Sequence, residues 1–227
     1  MVGNGYLGYR GTSPEQGSDG YVALVVTDTY DCADGRWREL TTAPNPLHVV
    51  AAIDGAAIRV AGGRSVEWSL DLRLGEFGLS FEHHDTEGHV ATVRSARIAS
   101  MARLHVVAQR WELEAARDVT VEIAAGIDVD VWSLNGVHLP EIATTDRDGA
   151  RLATGRTGES RIDVAVAAIR RGDELDGTGR IELAAGDRVV IESFGAVTSS
   201  NDGPDPASRS IDEVLAATAL GYGGVRH

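Results

Sequence analysis

The chain has 227 residues, 43% hydrophobic and 24% charged, a composition that is typical of a folded globular protein and excludes wholesale disorder. Its formal net charge of -13 excludes nucleic acid and anionic membrane surfaces as favoured partners, because both would repel it. The sequence has no apolar run of about 18 residues and no signal-like amino terminus. The single cysteine, Cys32, excludes an internal disulfide. We therefore expect a cytoplasmic protein without a membrane partner.

Residues 3–11, with the sequence GNGYLGYRG, are rich in glycine. A phosphate-binding loop of this composition needs a strand before it and a helix after it, and the strand is missing so close to residue 1. Glycine also permits tight turns and close backbone approach. The segment therefore predicts a turn and a short strand that pack closely against another surface.

Most of the chain alternates apolar and polar residues, as half-buried strands do. In residues 66–74 every second residue is apolar, which predicts a strand with one buried face. The same pattern predicts strands at residues 21–28, 77–83, 89–98, 104–113, 119–129, 162–169, 180–183 and 188–194. Asp54-Gly55 predicts a tight hairpin between residues 48–53 and 56–60. About a dozen antiparallel strands are expected.

The pattern changes near residue 201, where the polar segment NDGPDP interrupts it. Apolar residues then fall at helical spacing, and Ser210 with Glu213 matches a capping box, which predicts a helix over residues 211–220. A helix that follows a completed sandwich has no evident surface for its apolar face. We interpret residues 1–203 as a β-sandwich domain and residues 204–227 as the start of a helical linker to another domain.

His83, His84, Asp85 and His89 are the strongest candidates for a metal or acid–base cluster. Adjacent residues of a strand point to opposite faces, so three convergent ligands cannot be assembled from this spacing. We expect surface histidines here, and no metal site.

Two acidic pairs, Glu112 with Glu114 and Asp128 with Asp130, each share one strand face. Carboxylates that cleave a glycosidic bond must flank a sugar cleft, so we interpret these pairs as surface charge. Trp111 alternates with charged residues, which predicts a side chain buried in the core.

The order of the glycine-rich segment, Gly-Asn-Gly, then Gly, then Arg-Gly, resembles a motif near the start of glycoside hydrolase family 65. Similar motifs follow in the family's order: TYD at 29–31, EL at 39–40, PNP at 44–46, LDLRLG at 70–75, VRSAR at 93–97, MARLH at 101–105 and AVTSSND at 196–202. Each motif is weak alone, whereas their ordered spread over nearly the whole chain makes the resemblance specific. It implies family-motif or interdomain positions for Asn4, Gly5, Gly8, Arg10, Gly11, Arg73 and Arg94.

The resemblance implies an all-β chain, a large antiparallel two-sheet sandwich similar to the galactose mutarotase fold. In the family, helical linkers, an (α/α)6 barrel and a small β domain follow. The family's catalytic glutamate belongs to the barrel, so no residue here inherits a catalytic role, and no cofactor is expected. The longer enzyme is expected to cleave an α-glucosidic disaccharide with inversion, using phosphate or water, and to form a homodimer. Residues 3–11 are expected near the surface that the barrel covers.

Two other functions remain open. A self-sufficient sugar epimerase would need a glutamate and a histidine that converge in an open groove. A free-standing carbohydrate-binding module would need only exposed aromatic side chains, and Tyr6 and Trp132 are the candidate carbohydrate contacts. The family resemblance also implies an interdomain position for the segment around Trp132.

Overall fold

The computed structural model describes residues 1–10, 13–33, 35, 37–172 and 179–226. Within them the chain forms sixteen β-strands, three short 3₁₀ helices and one α-helix. The strands are β1 (Val2–Gly3), β2 (Leu7–Arg10), β3 (Ala23–Ala33), β4 (Trp37–Ala43), β5 (Asn45–Ile53), β6 (Ala56–Ala57), β7 (Arg64–Asp71), β8 (Glu76–His84), β9 (His89–Ala99), β10 (Val106–Ala115), β11 (Val119–Asp128), β12 (Ile142–Arg147), β13 (Ala150–Arg156), β14 (Asp163–Gly172), β15 (Arg180–Leu183) and β16 (Arg188–Ser199). The helix is α1 (Pro206–Val225). Strands β4, β12 and β13 are absent from the sequence-based prediction.

The described strands pair antiparallel and form three sheets. One has eight strands in the order β12-β13-β14-β16-β10-β9-β8-β7, and two have four, β1-β2-β3-β4 and β15-β11-β5-β6. Buried side chains of both small sheets pack against one face of the eight-stranded sheet, which we call its inner face. The predicted all-β antiparallel sandwich is confirmed.

Strand β10 shows how alternation builds these layers. Trp111 and Leu113 point to the inner face and are 3% and 0% exposed, which confirms the predicted core position of Trp111. Glu112 points to the opposite, outer face, where it pairs with Arg94 at 3.4 Å and Arg188 at 3.5 Å. The outer face is therefore charged where no second layer covers it.

The hairpin predicted at Asp54-Gly55 is confirmed. It joins β5 to β6, with Ile53 paired to Ala56. Asp54 and Gly55 have φ angles of 50° and 82°, as a two-residue turn matched to the strand twist requires.

Helix α1 packs on the outer face of the eight-stranded sheet. Ile211, Val214 and Ala217 are buried there with Ala108 and Ala196 of the sheet, whose small side chains allow close approach. The expectation that the helix lacks a surface within this chain is therefore wrong. No helix in the described ranges has the length and apolar character that crossing a membrane requires.

The start of α1 also differs from the prediction. The helix begins at Pro206, and the Asp205 carboxylate accepts a hydrogen bond from the Ser208 N–H at 3.1 Å. Proline suits the first turn because its missing N–H would have no helical partner there. Ser210 is buried inside the helix, so the capping box expected for Ser210 and Glu213 is wrong.

The end of α1 turns towards strand β7. Gly221 has φ 71°, a left-handed value that interrupts the helix and redirects its last residues. Beyond it, Tyr222 Oη donates to Glu76 Oε2 at 3.0 Å, and Arg226 Nη1 donates to the same oxygen at 3.3 Å. Glu76 pairs directly with Asp71, the last residue of β7. The end of α1 is thus anchored at one edge of the eight-stranded sheet.

Strand β7, which forms that edge, is exposed along its whole length. Trp68 and Leu70 lie opposite Leu79 and Phe77 of β8 and so share the inner face, yet they are 47% and 51% exposed. The small sheets do not cover this part of the inner face, so the predicted burial is wrong. Alternation determines which side chains share a face, and not whether a second layer reaches them.

Candidate interdomain site

The side chain of Asn4 holds the turn between β1 and β2. Its Oδ1 accepts from the backbone N–H groups of Tyr6 at 3.1 Å and Leu7 at 3.0 Å. Its Nδ2 donates to the carbonyl oxygens of Ser100 at 2.7 Å and Leu104 at 2.9 Å. One amide therefore shapes the turn and fastens it to the connection between β9 and β10.

The neighbouring glycines fit this turn. A Cβ on Gly3 would lie 3.0 Å from the carbonyl oxygen of Leu7, and Gly5 has φ 89°, which favours glycine. A Cβ on Gly8, in β2, would meet β3 at an ordinary contact distance of 3.4 Å. The predicted motif position Gly11 lies outside the described residues.

Tyr6 links this turn to the segment that precedes α1. Its hydroxyl donates to Asp202 Oδ2 at 2.5 Å, and the edge of its ring meets His105 with centroids 4.5 Å apart. Burial raises the pKa of Tyr6 well above its usual range, and the Asp202 carboxylate raises it further. The hydroxyl therefore remains protonated and serves as a donor.

The connection between β9 and β10 also contacts α1. Arg103 donates to Glu213 Oε2 at 3.1 Å, and His105 Nδ1 lies 3.5 Å from Glu213 Oε1. On the other side, Asn201 Nδ2 donates to the carbonyl oxygen of Asp28 at 2.9 Å. An open groove beside this region is lined by Arg103, Pro204, Asp205, Arg209, Asp212 and Glu213. Segments that are far apart in sequence thus meet at one end of the sandwich, beside the first turns of α1.

A second cluster lies in the β3–β4 hairpin, where Asp31 and Glu39 are directly opposite each other. Like charges in such a pair repel. The ring of His138 lies between them, with Nδ1 3.3 Å from Asp31 Oδ2 and Nε2 2.5 Å from Glu39 Oε1. Asp31 and His138 are each 1% exposed. Each ring nitrogen of His138 therefore has a carboxylate oxygen as its hydrogen-bond partner.

Hydrogen bonds keep both carboxylates of this cluster ionised. Burial acts to raise the pKa of the Asp31 carboxyl. Hydrogen bonds with the backbone N–H of Ser160, the ring of His138 and the backbone N–H of Glu159 outweigh this effect, so the pKa lies below its usual value. Burial likewise opposes ionisation of Glu39, and hydrogen bonds from His138 and Asn135 bring its pKa below the usual value. The cluster ties the segments that precede β12 and β14 to the β3–β4 hairpin.

This buried cluster is not predicted from the sequence. Asp31 and Glu39 belong to family-like motifs, but β4 is not predicted, and His138 belongs to none of those motifs. The sequence does contain an indication of this cluster, because a hairpin centred on Gly35 sets Asp31 opposite Glu39. Two acids that face each other in this way repel, which favours a hydrogen-bond donor between them.

Arg10 and Trp132 meet through a third residue, Tyr21. The Arg10 guanidinium lies 5.9 Å from the centroid of the Tyr21 ring, and the Trp132 ring meets Tyr21 edge to face at 5.3 Å. Tyr21 is 51% exposed, so the cluster faces solvent. The predicted sugar contact of Trp132 stays a prediction, as does that of Tyr6.

The two other arginines of the predicted set lie apart from the Asn4 turn. Arg73 is exposed in the turn between β7 and β8, where its N–H donates to Asp71 Oδ1 at 2.9 Å. Arg94 lies in the middle of the outer face and pairs with Glu112 at 3.4 Å and Glu114 at 3.0 Å. Their interdomain roles stay predictions.

The histidine-rich segment forms separate pairs. His84 Nε2 lies 2.9 Å from Glu82 Oε2, and Asp85 pairs with Arg117. His84 and His89 have ring centroids 5.3 Å apart. In the part of the chain that the structure describes, no three His, Cys, Asp or Glu side chains are arranged to hold a metal ion.

Comparison with known proteins identifies the family. The model of the glycosyl hydrolase family 65 N-terminal domain matches residues 1–226. The 1,2-alpha-glucosylglycerol phosphorylase of Bacillus selenitireducens is 34% identical over 226 residues, which cover 94% of this chain and 30% of that protein. The nigerose phosphorylase of Lachnoclostridium phytofermentans is 32% identical over 144 residues, which cover 63% of this chain and 19% of that protein. The chain therefore spans less than a third of the length of either relative.

A solved structure supports the fold. A protein from the human microbiome, described as a kojibiose phosphorylase, superposes with a TM-score of 0.77 over 95% of this chain and 32% of its own, at 14% identity. At this identity the match supports the sandwich architecture and not a shared substrate. The chain belongs to glycoside hydrolase family 65, as the N-terminal domain of that family.

Proposed function

We propose that this domain is a non-catalytic scaffold and interface for an (α/α)6 catalytic barrel within a longer family 65 enzyme. Residues 1–203 form the sandwich, and residues 204–227 start the linker to the barrel. Since the relatives are about three to five times as long as the matched region, most of their chain lies outside it. The proposal therefore places the chemistry in the remainder of the enzyme.

The convergence of the motif-bearing segments at one end of the sandwich is the observation that carries this proposal. Asn4, Tyr6 and Asp202 form hydrogen bonds there, directly beside the start of α1. The turn around Asn4 is rigid because both donors and the acceptor of one amide are used. A rigid, polar end beside the linker is suited to hold a second domain in a defined orientation.

For the longer enzyme we propose phosphorolysis of an α-glucosidic substrate with inversion, by analogy with the phosphorylase relatives. A carboxylic acid of the barrel would protonate the leaving oxygen, and inorganic phosphate would attack the anomeric carbon from the opposite face. The residues of this chain would orient the barrel and exclude water at its border. The proposal includes a homodimeric enzyme in the cytoplasm. The single cysteine supports the compartment, because a protein that relies on disulfides carries more.

The test compares the purified chain with the polypeptide that also contains the barrel. Glucosylglycerol, kojibiose, nigerose, maltose and trehalose are each supplied with and without phosphate, and glucose 1-phosphate and glucose are measured. The chain alone is expected to release neither, and the longer polypeptide to release glucose 1-phosphate in the presence of phosphate. Turnover by the chain alone, lost when one of its own Asp or Glu residues is replaced, would overturn the proposal.

A sugar epimerase is the second candidate function, favoured by one observation. His105 and Glu213 lie 3.5 Å apart at the border of an open groove, as an acid–base pair for anomer exchange would. Anomer exchange of glucose or galactose by the chain, abolished by His105→Ala, would support it. The interface function predicts no exchange.

A further inference from the structure

The edge strand β7 presents an apolar surface that nothing in the described chain covers. On its inner face Trp68 and Leu70 are 47% and 51% exposed, and Leu72 in the following turn is 84% exposed. Trp68 stacks on Phe77 of β8 with ring centroids 5.6 Å apart. We call Trp68, Leu70, Leu72 and Phe77 the β7 strip. An apolar strip on a strand with one unpaired edge offers both apolar contact and backbone hydrogen bonds to a partner.

The opposite edge of the same sheet is protected against pairing. In β12, Thr144 and Asp146 both accept hydrogen bonds from Arg151 of the neighbouring strand, at 3.0 Å and 3.1 Å. Polar and charged side chains at an edge hinder the addition of another strand. Strand β7 carries Glu67 and Asp71 on its outer face, but its inner face has Trp68 and Leu70 where β12 has Thr144 and Asp146. The inner face of β7 is therefore the side on which a partner would find apolar contact.

The β7 strip lies next to the candidate interdomain site and to the end of α1. Phe77 pairs with Arg97, so the turns that follow β7 and β9 lie at the same end of the sheet. The turn after β9 holds the Asn4 side chain. Arg226, at the end of α1, bonds Glu76 beside the last residue of β7. The strip therefore continues the candidate site along the sheet edge.

We propose that the β7 strip is a docking surface for the catalytic domain of the longer enzyme. This inference rests on the proposed function. A domain joined through α1 would meet the strip at the high effective concentration of a tethered partner. A second copy of the isolated chain would have to bind from solution, without the advantage of a tether.

Hydrogen–deuterium exchange of the isolated chain and of the polypeptide with its catalytic domain tests the inference. The amides of residues 66–71 are expected to exchange at least about tenfold more slowly in the longer polypeptide, because a covered strand edge opens less often. The amides of β12 are the internal reference and should exchange equally in both proteins. Equal exchange of residues 66–71 in both proteins would overturn the inference.

Two variants make the test specific. Leu70→Arg places a charge in the strip, and Val50→Arg is the matched control at an apolar residue of β5 that is 40% exposed. In the longer polypeptide, Leu70→Arg should bring the exchange rate of the β7 amides to within about twofold of their rate in the isolated chain. Val50→Arg should leave that rate slow. Slow exchange of β7 that depends on the concentration of the isolated chain would identify a second copy as the partner and overturn the inference.

The activity of the same preparations separates this inference from the proposed function. An active longer polypeptide with a fast-exchanging β7 would overturn only the docking surface. A longer polypeptide without phosphorylase activity but with a protected β7 would support docking and contradict the proposed phosphorolysis, whereas turnover by the isolated chain would overturn the scaffold function.

Discussion

Asp31 and Glu39 face each other across the β3–β4 hairpin, and their carboxylates are separated by the ring of His138. Asp31 is almost fully buried, so its charge has little solvent to stabilise it. Hydrogen bonds must do so instead. The imidazole of His138 therefore helps to hold the hairpin against the segment that precedes β12, together with the hydrogen bonds that Asn135 donates to Glu39.

Replacement of His138 tests this dependence. His138→Ala is expected to lower the free energy of unfolding by about 3 kcal/mol, because it removes a buried side chain and leaves the buried Asp31 carboxylate without one of its hydrogen bonds. Urea denaturation at neutral pH, followed by circular dichroism, measures the loss. His89→Ala is the control, since His89 is exposed and should change stability by less than about 0.5 kcal/mol. A loss below about 1 kcal/mol for His138→Ala would contradict the role given to the ring.

The lowered pKa values of Asp31 and Glu39 predict a pH dependence. Folding depresses both below their ordinary values of 3.8 and 4.5, so their stabilising contribution is complete above those values and is lost as the pH falls through the lowered ones. The deficit caused by Asp31→Asn should therefore be largest near neutral pH and shrink below about pH 4. Urea denaturation of both proteins at stepwise lower pH measures it. A deficit that is independent of pH would refute the assignment.

Local patterns were sufficient to predict most strands of the sandwich. The Asp54-Gly55 turn, the burial of Trp111 and the all-β class each follow from a few neighbouring residues. Strand β4 escapes prediction because its sequence, WRELTTA, shows little alternation, and its position depends on pairing with β3.

Features that depend on distant segments were mispredicted or missed. Alternation in β7 predicts burial, yet no second layer among the described residues reaches Trp68 or Leu70. The surface for α1 consists of small residues on several strands, such as Ala108 and Ala196, which no local pattern brings together. The link between Asn4 and Ser100 spans 96 positions and follows only from the folded arrangement.

The predicted sugar contact of Trp132 can be tested in the longer enzyme. A stacked aromatic contact contributes about 0.5–1.5 kcal/mol, so Trp132→Ala should raise KM about two- to tenfold. The value of kcat should change little, because such a contact binds ground state and transition state alike. Trp37→Ala is the matched control, at a tryptophan that is 66% exposed in β4. An unchanged KM for Trp132→Ala would exclude the contact.

The role of Asn4 can be separated from that of an ordinary turn residue by two substitutions. Asn4→Ala removes both donors and the acceptor and should cost about 2 kcal/mol of unfolding free energy. Asn4→Asp keeps an acceptor for the two N–H groups but sets a carboxylate against the carbonyl oxygens of Ser100 and Leu104. It should therefore be no more stable than Asn4→Ala at neutral pH, and its deficit should narrow below about pH 4, where the introduced carboxyl regains a proton to donate. Asn201→Ala is the control, because its amide donates to one exposed carbonyl, and it should cost less than about 1 kcal/mol. If Asn4→Asp matches the wild-type stability at neutral pH, the two donated hydrogen bonds do not hold the turn, and the rigid end of the sandwich must depend on other contacts.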